Sequence, residues 1–169
     1  MAKGREMIVA EIPHLRRYAR ALLRDPVEAD DLVQSCLERA LGRFHLWRPG
    51  SNLRPWLFTI MHNLFINAQR QKGRRPTPLP FDELTSPPAQ AAPQDGAMAA
   101  RHIAQALQQL PEEQRAAILL VGLEELSYAE AARVLGVPQG TVMSRLHRGR
   151  EKLRTIILEE PAAAIRRIK

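Results

Sequence analysis

The stretch "VPQGTVMSRLHRGREKLR", Val137 to Arg154, decides how the chain is to be read. Val142, Leu146 and Leu153 recur at helical spacing, with Gly149 on the same stripe and Ile156 or Ile157 extending it. A stripe of that period marks an amphipathic helix whose apolar side packs on the rest of a domain. Gly149 costs about 1 kcal/mol of helix propensity relative to alanine, which points to a second helix approaching closely there. The opposite side carries Met143, Ser144, His147, Arg148 and Glu151, flanked by Arg145, Arg150, Lys152 and Arg154. A merely solvated helix mixes its signs, whereas this one is basic almost throughout.

What precedes the stretch gives it a partner. Ser127 and Glu130 have capping-box spacing at the start of "SYAEAARVLG". Gly136 supplies the left-handed residue that ends such a helix, and Pro138 restarts the chain. A short helix, a tight turn and a second helix form a helix-turn-helix, with a generic helical hairpin as the plainer alternative. In that motif the second helix enters the major groove with its early residues toward base edges. Ser144, His147 and Met143 then face bases, while Arg145, Arg148, Arg150 and Lys152 suit phosphates, which position without specifying. Met143 either lies against a thymine methyl or marks a weakened contact.

Working outward, "AMAARHIAQALQQL" and "PEEQRAAILLVGLEEL" read as two further helices. Pro111 sits in the first turn of the second, and Glu112 and Glu113 lie at its positive end. Residues 73–97 contain six prolines, from Pro76 to Pro93, and read as an extended linker. Before it lie three helical patterns. Met7–Leu23 carries Ile8, Ile12, Leu15, Ala19, Leu22 and Leu23 on one face; "VEADDLVQSCLERALGRF" carries Ala29, Leu32, Val33, Cys36, Leu37, Ala40 and Leu41. "LRPWLFTIMHNLFINAQRQK" places Trp56, Leu57, Ile60, Leu64 and Ala68 in register after a Pro49-Gly50 loop. The expected fold is all-α: two small helical domains, 1–72 and 98–160, joined by the Pro-rich linker, with a basic tail at 161–169 after Pro161 ends the last helix.

Bulk properties exclude several classes. The 169 residues carry a net charge of +7, which favours a polyanionic partner. Cys36 is the only cysteine, so no internal disulfide or cysteine-rich zinc site forms, and its place in an apolar stripe suits a buried role. No apolar run approaches the roughly 18–20 residues that span a bilayer. His14, His45, His62, His102 and His147 show no metal-ligand spacing, and neither a phosphate loop nor a nucleophile constellation is present. The expectation is a cytoplasmic non-enzyme with no cofactor, no metal and no membrane insertion.

Taken together, the pattern resembles an extracytoplasmic-function sigma factor of the sigma-70 family. "DPVEADDLVQSCLERAL" and "GSNLRPWLFTIMHNLFINAQRQK" look like the family's region 2, and "LPEEQRAAILLVGLEELSYAEAARVLGVPQGTVMSRLHRGREKLR" looks like region 4. "RPGSNLRPWLFTI" and "LLVGLEELSY" look closest to sigma factors of the alphaproteobacterial general stress response. The resemblance implies a factor that binds core RNA polymerase, at the largest subunit's clamp helices and the flap, and directs it to promoter DNA. An anti-sigma factor is implied as a further partner.

Residue roles follow from the same resemblance. Asp30, Asp31 and Gln34 would be the polar polymerase contacts, with Leu32 and Val33 serving the core. Ser51, Asn52 and Asn63 would form the pocket for a flipped −10 base, an extrusion costing a few kcal/mol of stacking. Arg70 and Lys72, with Arg74 and Arg75 beyond, would hold backbone; Trp56 and Phe58 belong to the core rather than to a stacking platform. His62 departs from the arginine common there, and Met143 from the usual lysine or arginine of the −35 helix. Asp82, Glu83 and Asp95 give the linker an acidic middle, suited to a nucleic-acid mimic or to a plain linker. Two other readings compete: a sigma-like decoy that only sequesters an anti-sigma factor, and an ordinary helix-turn-helix regulator.

Overall fold

The computed structural model describes residues 2–74 and 95–166, with side chains over 2–73 and 96–159. The described residues form seven α-helices in two groups: α1 (Ala2–Leu22), α2 (Pro26–Gly42) and α3 (Leu53–Arg74), then α4 (Asp95–Gln108), α5 (Glu112–Ile118), α6 (Tyr128–Leu135) and α7 (Gln139–Arg166). The linker's ends at 73–74 and 95–97 therefore belong to helices, while Pro76 to Pro93, Arg75, Asp82 and Glu83 lie outside the described residues.

Local chemistry explains most boundaries. The Asp25 carboxylate accepts from the Val27 amide at 2.8 Å and Pro26 occupies the first turn, so α2 starts where a missing amide costs little. α2 ends at Gly42, two residues earlier than expected, and Phe44–Leu46 form a single 3₁₀ turn. The Ser127–Glu130 capping box is fully formed, and Gly136 ends α6 with φ of 65°. Two expectations fail. The helix expected through Leu126 is α-helical only to Ile118; Leu119–Leu123 widen into a π turn, and Glu125 takes the left-handed φ of 57°. Pro161 does not end α7, which continues to Arg166; one lost bond is tolerated where Ala162, Ala163 and Ala164 are strong helix formers.

The first group's core joins Leu15, Tyr18, Ala19 and Leu22 of α1, Ala29, Val33, Cys36 and Ala40 of α2, and Leu57, Phe58, Met61 and Phe65 of α3. Tyr18 and Phe58 meet edge to face with centroids 4.9 Å apart. Burial pushes the Cys36 thiol up to about 12, which makes it inert. Leu41 and Ala68, expected inside, are exposed, and Ile12 and Leu23 are half-buried. In the second group Val142 and Leu146 are buried, Ile156 rather than Ile157 continues the stripe, and a methyl on Gly149 would stand 2.7 Å from Ile118 Cδ1 and 3.3 Å from Gln114 Cβ. The close helix expected at Gly149 is α5.

The two groups also pack on each other, α1 against the π turn and α3 against α6. The seam is polar. Arg115 of α5, almost wholly buried, donates to the Leu22 carbonyl at 2.9 Å and to the carbonyls of Leu107, Gln108 and Leu110. Gln108 donates to the Ala21 carbonyl at 2.9 Å. The second group thus satisfies the carbonyls that the C-terminus of α1 leaves open.

Candidate nucleic-acid interface

Along α7 the apolar stripe turns the opposite face outward. Met143 is 52 % exposed, and Ser144, His147, Arg148, Arg150, Lys152 and Arg154 are all exposed. Ser144 donates its hydroxyl to the Gly140 carbonyl one turn back, 3.1 Å away, and Arg154 pairs with Glu151 at 2.9 Å. Arg148 and Lys152, one turn apart, share one flank of that outward face and Arg150 takes the other, all three exposed and free to meet phosphate. Arg145 is half-buried instead, 3.6 Å from Glu113 and in a cleft with His62 and Arg70 of the first group.

α3 and the loop before it behave differently. Ser51 is tied to its own loop by a hydroxyl bond to the Arg48 carbonyl, and the Asn52 carbonyl oxygen accepts from the Arg54 amide, as an α3 cap does. The Asn52 amide donates to Glu130 of α6 at 3.3 Å. His62 is half-buried with Nδ1 unpaired, in a cleft it shares with Arg70, Glu112, Glu113, Leu135 and Arg145. Burial first, then the Arg145 charge, holds its imidazole below the ordinary histidine value. Asn63 and Arg70 are exposed and line an adjoining hollow with Arg39, His62 and Leu135. Lys72 stands apart, paired with Glu28. Phe58 is buried and Trp56 half-buried against Phe44, so both serve packing.

The acidic start of α2 points outward. Asp30, Asp31 and Gln34 are exposed, Leu32 and Val33 buried, so "DDLVQ" divides into a solvent face and a core face as its period dictates. Asp30 lies 3.4 Å from Arg20, Gln34 donates to Glu38, and Asp31 borders a groove between α2 and α3 with Ser35, Leu64 and Lys72.

Sequence reasoning missed the polar seam. Glu124, only 1 % exposed, takes Nε and Nη2 of Arg17 at 3.0 and 3.1 Å and Nδ1 of His14 at 3.1 Å. Arg54 donates to His14 Nε2 at 3.0 Å, which leaves the imidazole proton on Nδ1 for Glu124. Arg54 also grips Glu11 at 2.7 Å. The Glu124 hydrogen bond holds Arg17 above the ordinary arginine value. A carboxylate inside the apolar run "LLVGLEEL" was the one available signal; its partners are 107 and 110 positions away.

Two helical groups, one ending in a capped helix-turn-helix with an outward basic face, define a DNA-binding protein of the helix-turn-helix class. Residues 8–62 match the Sigma2 domain of PhyR, and residues 100–153 match Sigma-70, region 4. The ECF RNA polymerase sigma factor EcfG of Rhodopseudomonas palustris is 38 % identical over 94 % of this chain and 87 % of its own length. The ECF RNA polymerase sigma factor SigE of Mycolicibacterium smegmatis is 36 % identical over 88 % of this chain, which spans 59 % of that longer protein. The sigma factor RpoE of Bartonella quintana, in its co-crystal structure with the anti-sigma factor NepR, superposes with a TM-score of 0.77 at 31 % identity, covering 93 % of this chain and 98 % of that one. The chain belongs to the extracytoplasmic-function RNA polymerase sigma factors. It is a factor that brings core RNA polymerase to particular promoters.

Proposed function

We propose that the chain recognises the −35 element through α7 and melts and holds the −10 element through α3 and its preceding loop. Region 4 comprises 98–160 and region 2 comprises 1–72 in this reading. The observation that carries it is the outward basic face of α7, set by a buried stripe and preceded by a capped helix and a left-handed glycine. Ser144 and His147 select bases and Met143 lies against a thymine methyl, while Arg148, Arg150 and Lys152 hold phosphates. Ser51, Asn52 and Asn63 line the base pocket, His62 stands beside them on the −10 face, and Arg70 and Lys72 hold the backbone. Asp30, Asp31 and Gln34 meet the polymerase. Arg145 reaches DNA once it leaves Glu113.

The partner proposals rest on the relatives. An anti-sigma factor of the NepR kind, and a general-stress role, are supported by the likeness to RpoE bound to NepR and by the match to the PhyR sigma2 domain. No described helix is long and apolar enough to cross a membrane, and a cytoplasmic, non-enzymatic factor fits this reading. One observation favours a decoy instead: the first group matches a domain of PhyR, and a PhyR–NepR structure describes PhyR as an anti-anti-sigma factor. The exposed cations of α7 weigh against it, since sequestering a protein requires no phosphate-binding helix.

Run-off transcription with core polymerase and a promoter library separates the two. Selective initiation is expected; polymerase binding with no transcript above core alone would leave the decoy standing. Within α7, Ser144→Ala or His147→Ala is expected to change base preference, whereas Arg148→Ala weakens all sequences alike.

A further inference from the structure

Glycine weakens a helix relative to alanine, so a buried one inside a helix needs a packing reason. Gly4 stands in the first turn of α1 and is buried. A methyl on it would lie 2.4 Å from Cε1 of Phe44 and 2.9 Å from Cδ1 and Cζ. Carbon atoms in contact settle about 3.5–4.0 Å apart, so a larger residue at position 4 would displace the Phe44 ring by about 1 Å. Gly4 lies upstream of residue 8, where the match to the Sigma2 domain begins.

Phe44 is stacked on Trp47 with ring centroids 5.4 Å apart and stands edge-on to Trp56 at 6.4 Å. Trp47 opens the loop that leads into α3, and Trp56 lies in the first turn of α3. The Trp47 indole is almost wholly buried and its N–H has no acceptor among the described residues, so packing alone sets where that ring lies. The residue after it fixes Ser51: the Arg48 carbonyl accepts from the Ser51 amide at 3.1 Å and from its hydroxyl at 2.7 Å. Gly50 turns the chain between them with φ of 88°, and Asn52 then accepts from the Arg54 amide at 3.2 Å to cap α3.

We propose that Gly4 is a positioning residue for the −10 base pocket. The bare backbone at position 4 sets where Phe44 rests, Phe44 sets Trp47, and Trp47 sets the 48–52 loop that carries Ser51 and Asn52. This rests on the assignment of that loop to promoter DNA. Gly4 itself touches no base; it acts through the two rings. A pocket reads a flipped base by hydrogen bonds to its edge, and those groups must stay within about 0.5 Å of their working positions. A ring displaced by about twice that distance alters which base is held.

The test uses the full chain. Both of its tryptophans, Trp47 and Trp56, belong to this cluster, so intrinsic fluorescence reports the cluster without background. Gly4→Ala removes no side chain and favours the helix, so helical circular dichroism should be retained while the emission maximum shifts. Run-off transcription with core polymerase and a library randomised at −35 and −10 gives the functional readout. Gly4→Ala should lower the preference for the favoured base at a −10 position by about tenfold, with the −35 preference unchanged. In a Phe44→Leu background, which removes the ring atoms that the methyl meets, Gly4→Ala should change neither readout further.

An unchanged emission maximum would mean that the first turn of α1 yields instead of the ring, and overturns the proposal. So does an even fall in all transcripts, which marks a merely destabilised chain, or an equal effect of Gly4→Ala with and without Phe44. If wild type selects −10 bases and Gly4→Ala selects the same ones, the loop keeps its assignment and Gly4 is a packing residue only. If wild type shows no −10 preference, the assignment of the loop fails and the proposal falls with it, whatever the fluorescence does.

Discussion

Two surfaces with related chemistry are set in different ways. The basic face of α7 is free because a stripe of Val142, Leu146 and Gly149, all buried, holds it outward from within its own helix. On α3, where α6 packs against it, His62 is half-buried in a cleft with Arg145, while Asn63 and Arg70 stay exposed. The first is a local consequence of helical period. The second depends on groups from distant parts of the chain, and so it can change without either domain unfolding.

The largest effect should come from the seam. Arg115→Ala leaves the carbonyls of Leu22, Leu107, Gln108 and Leu110 without their donor in a dry site, and chemical denaturation should show a loss of about 3–5 kcal/mol. A loss confined to a few tenths would mean that water replaces the guanidinium and that the seam is looser than its geometry. Gly149→Leu should cost about 1–3 kcal/mol by forcing α7 away from Ile118 and Gln114, with the basic face intact but tilted.

In the free chain, Arg148→Ala should weaken duplex binding and lower the salt slope by about one, while Arg70→Ala should act on single-stranded rather than on fully paired DNA. Equal losses for Arg148→Ala and Arg70→Ala on fully paired DNA would remove the distinction between a duplex-binding and a strand-binding face. Met143→Lys should steepen the salt slope by about one, measured by titration at several salt concentrations; an unchanged slope removes Met143 from the DNA face.

The smallest effect is one of pH. The imidazole of His62 is held below its ordinary value, so the open form takes up its proton more readily. Stability of the closed form is then complete above about 6.5 and declines as pH falls toward the depressed value. The groups facing His62 are Arg145, Arg70, Glu112 and Glu113, with Arg39 at the cleft's mouth. The imidazolium would add to Arg145, and only the two glutamates oppose that. Scattering between pH 7.5 and 5.5 should show modest expansion that His62→Gln abolishes; expansion that persists in His62→Gln assigns it to another group.

Much of this molecule was legible from residue order. Helical period placed Leu32 and Val33 inside with Asp30, Asp31 and Gln34 outside; capping chemistry placed the start and end of α6; the glycine at 149 announced a close helix. Each depends on neighbours within about one turn, where spacing and local bonding dictate the outcome. Leu41 and Ala68 kept the period yet face solvent, since whether a stripe is covered depends on how far the next helix extends.

Tertiary structure alone decided the rest. Nothing local distinguishes Glu124 from Glu125, yet a π turn buries the first against α1 and leaves the second exposed. Nothing local says that Arg115 will cap another helix's carbonyls, or that His62 will face Arg145. The residue order specified two helical units and an outward basic helix, because those follow from period and capping. It left open how the units meet, because that is settled by polar groups about a hundred positions apart that must find one another before any of them can be buried.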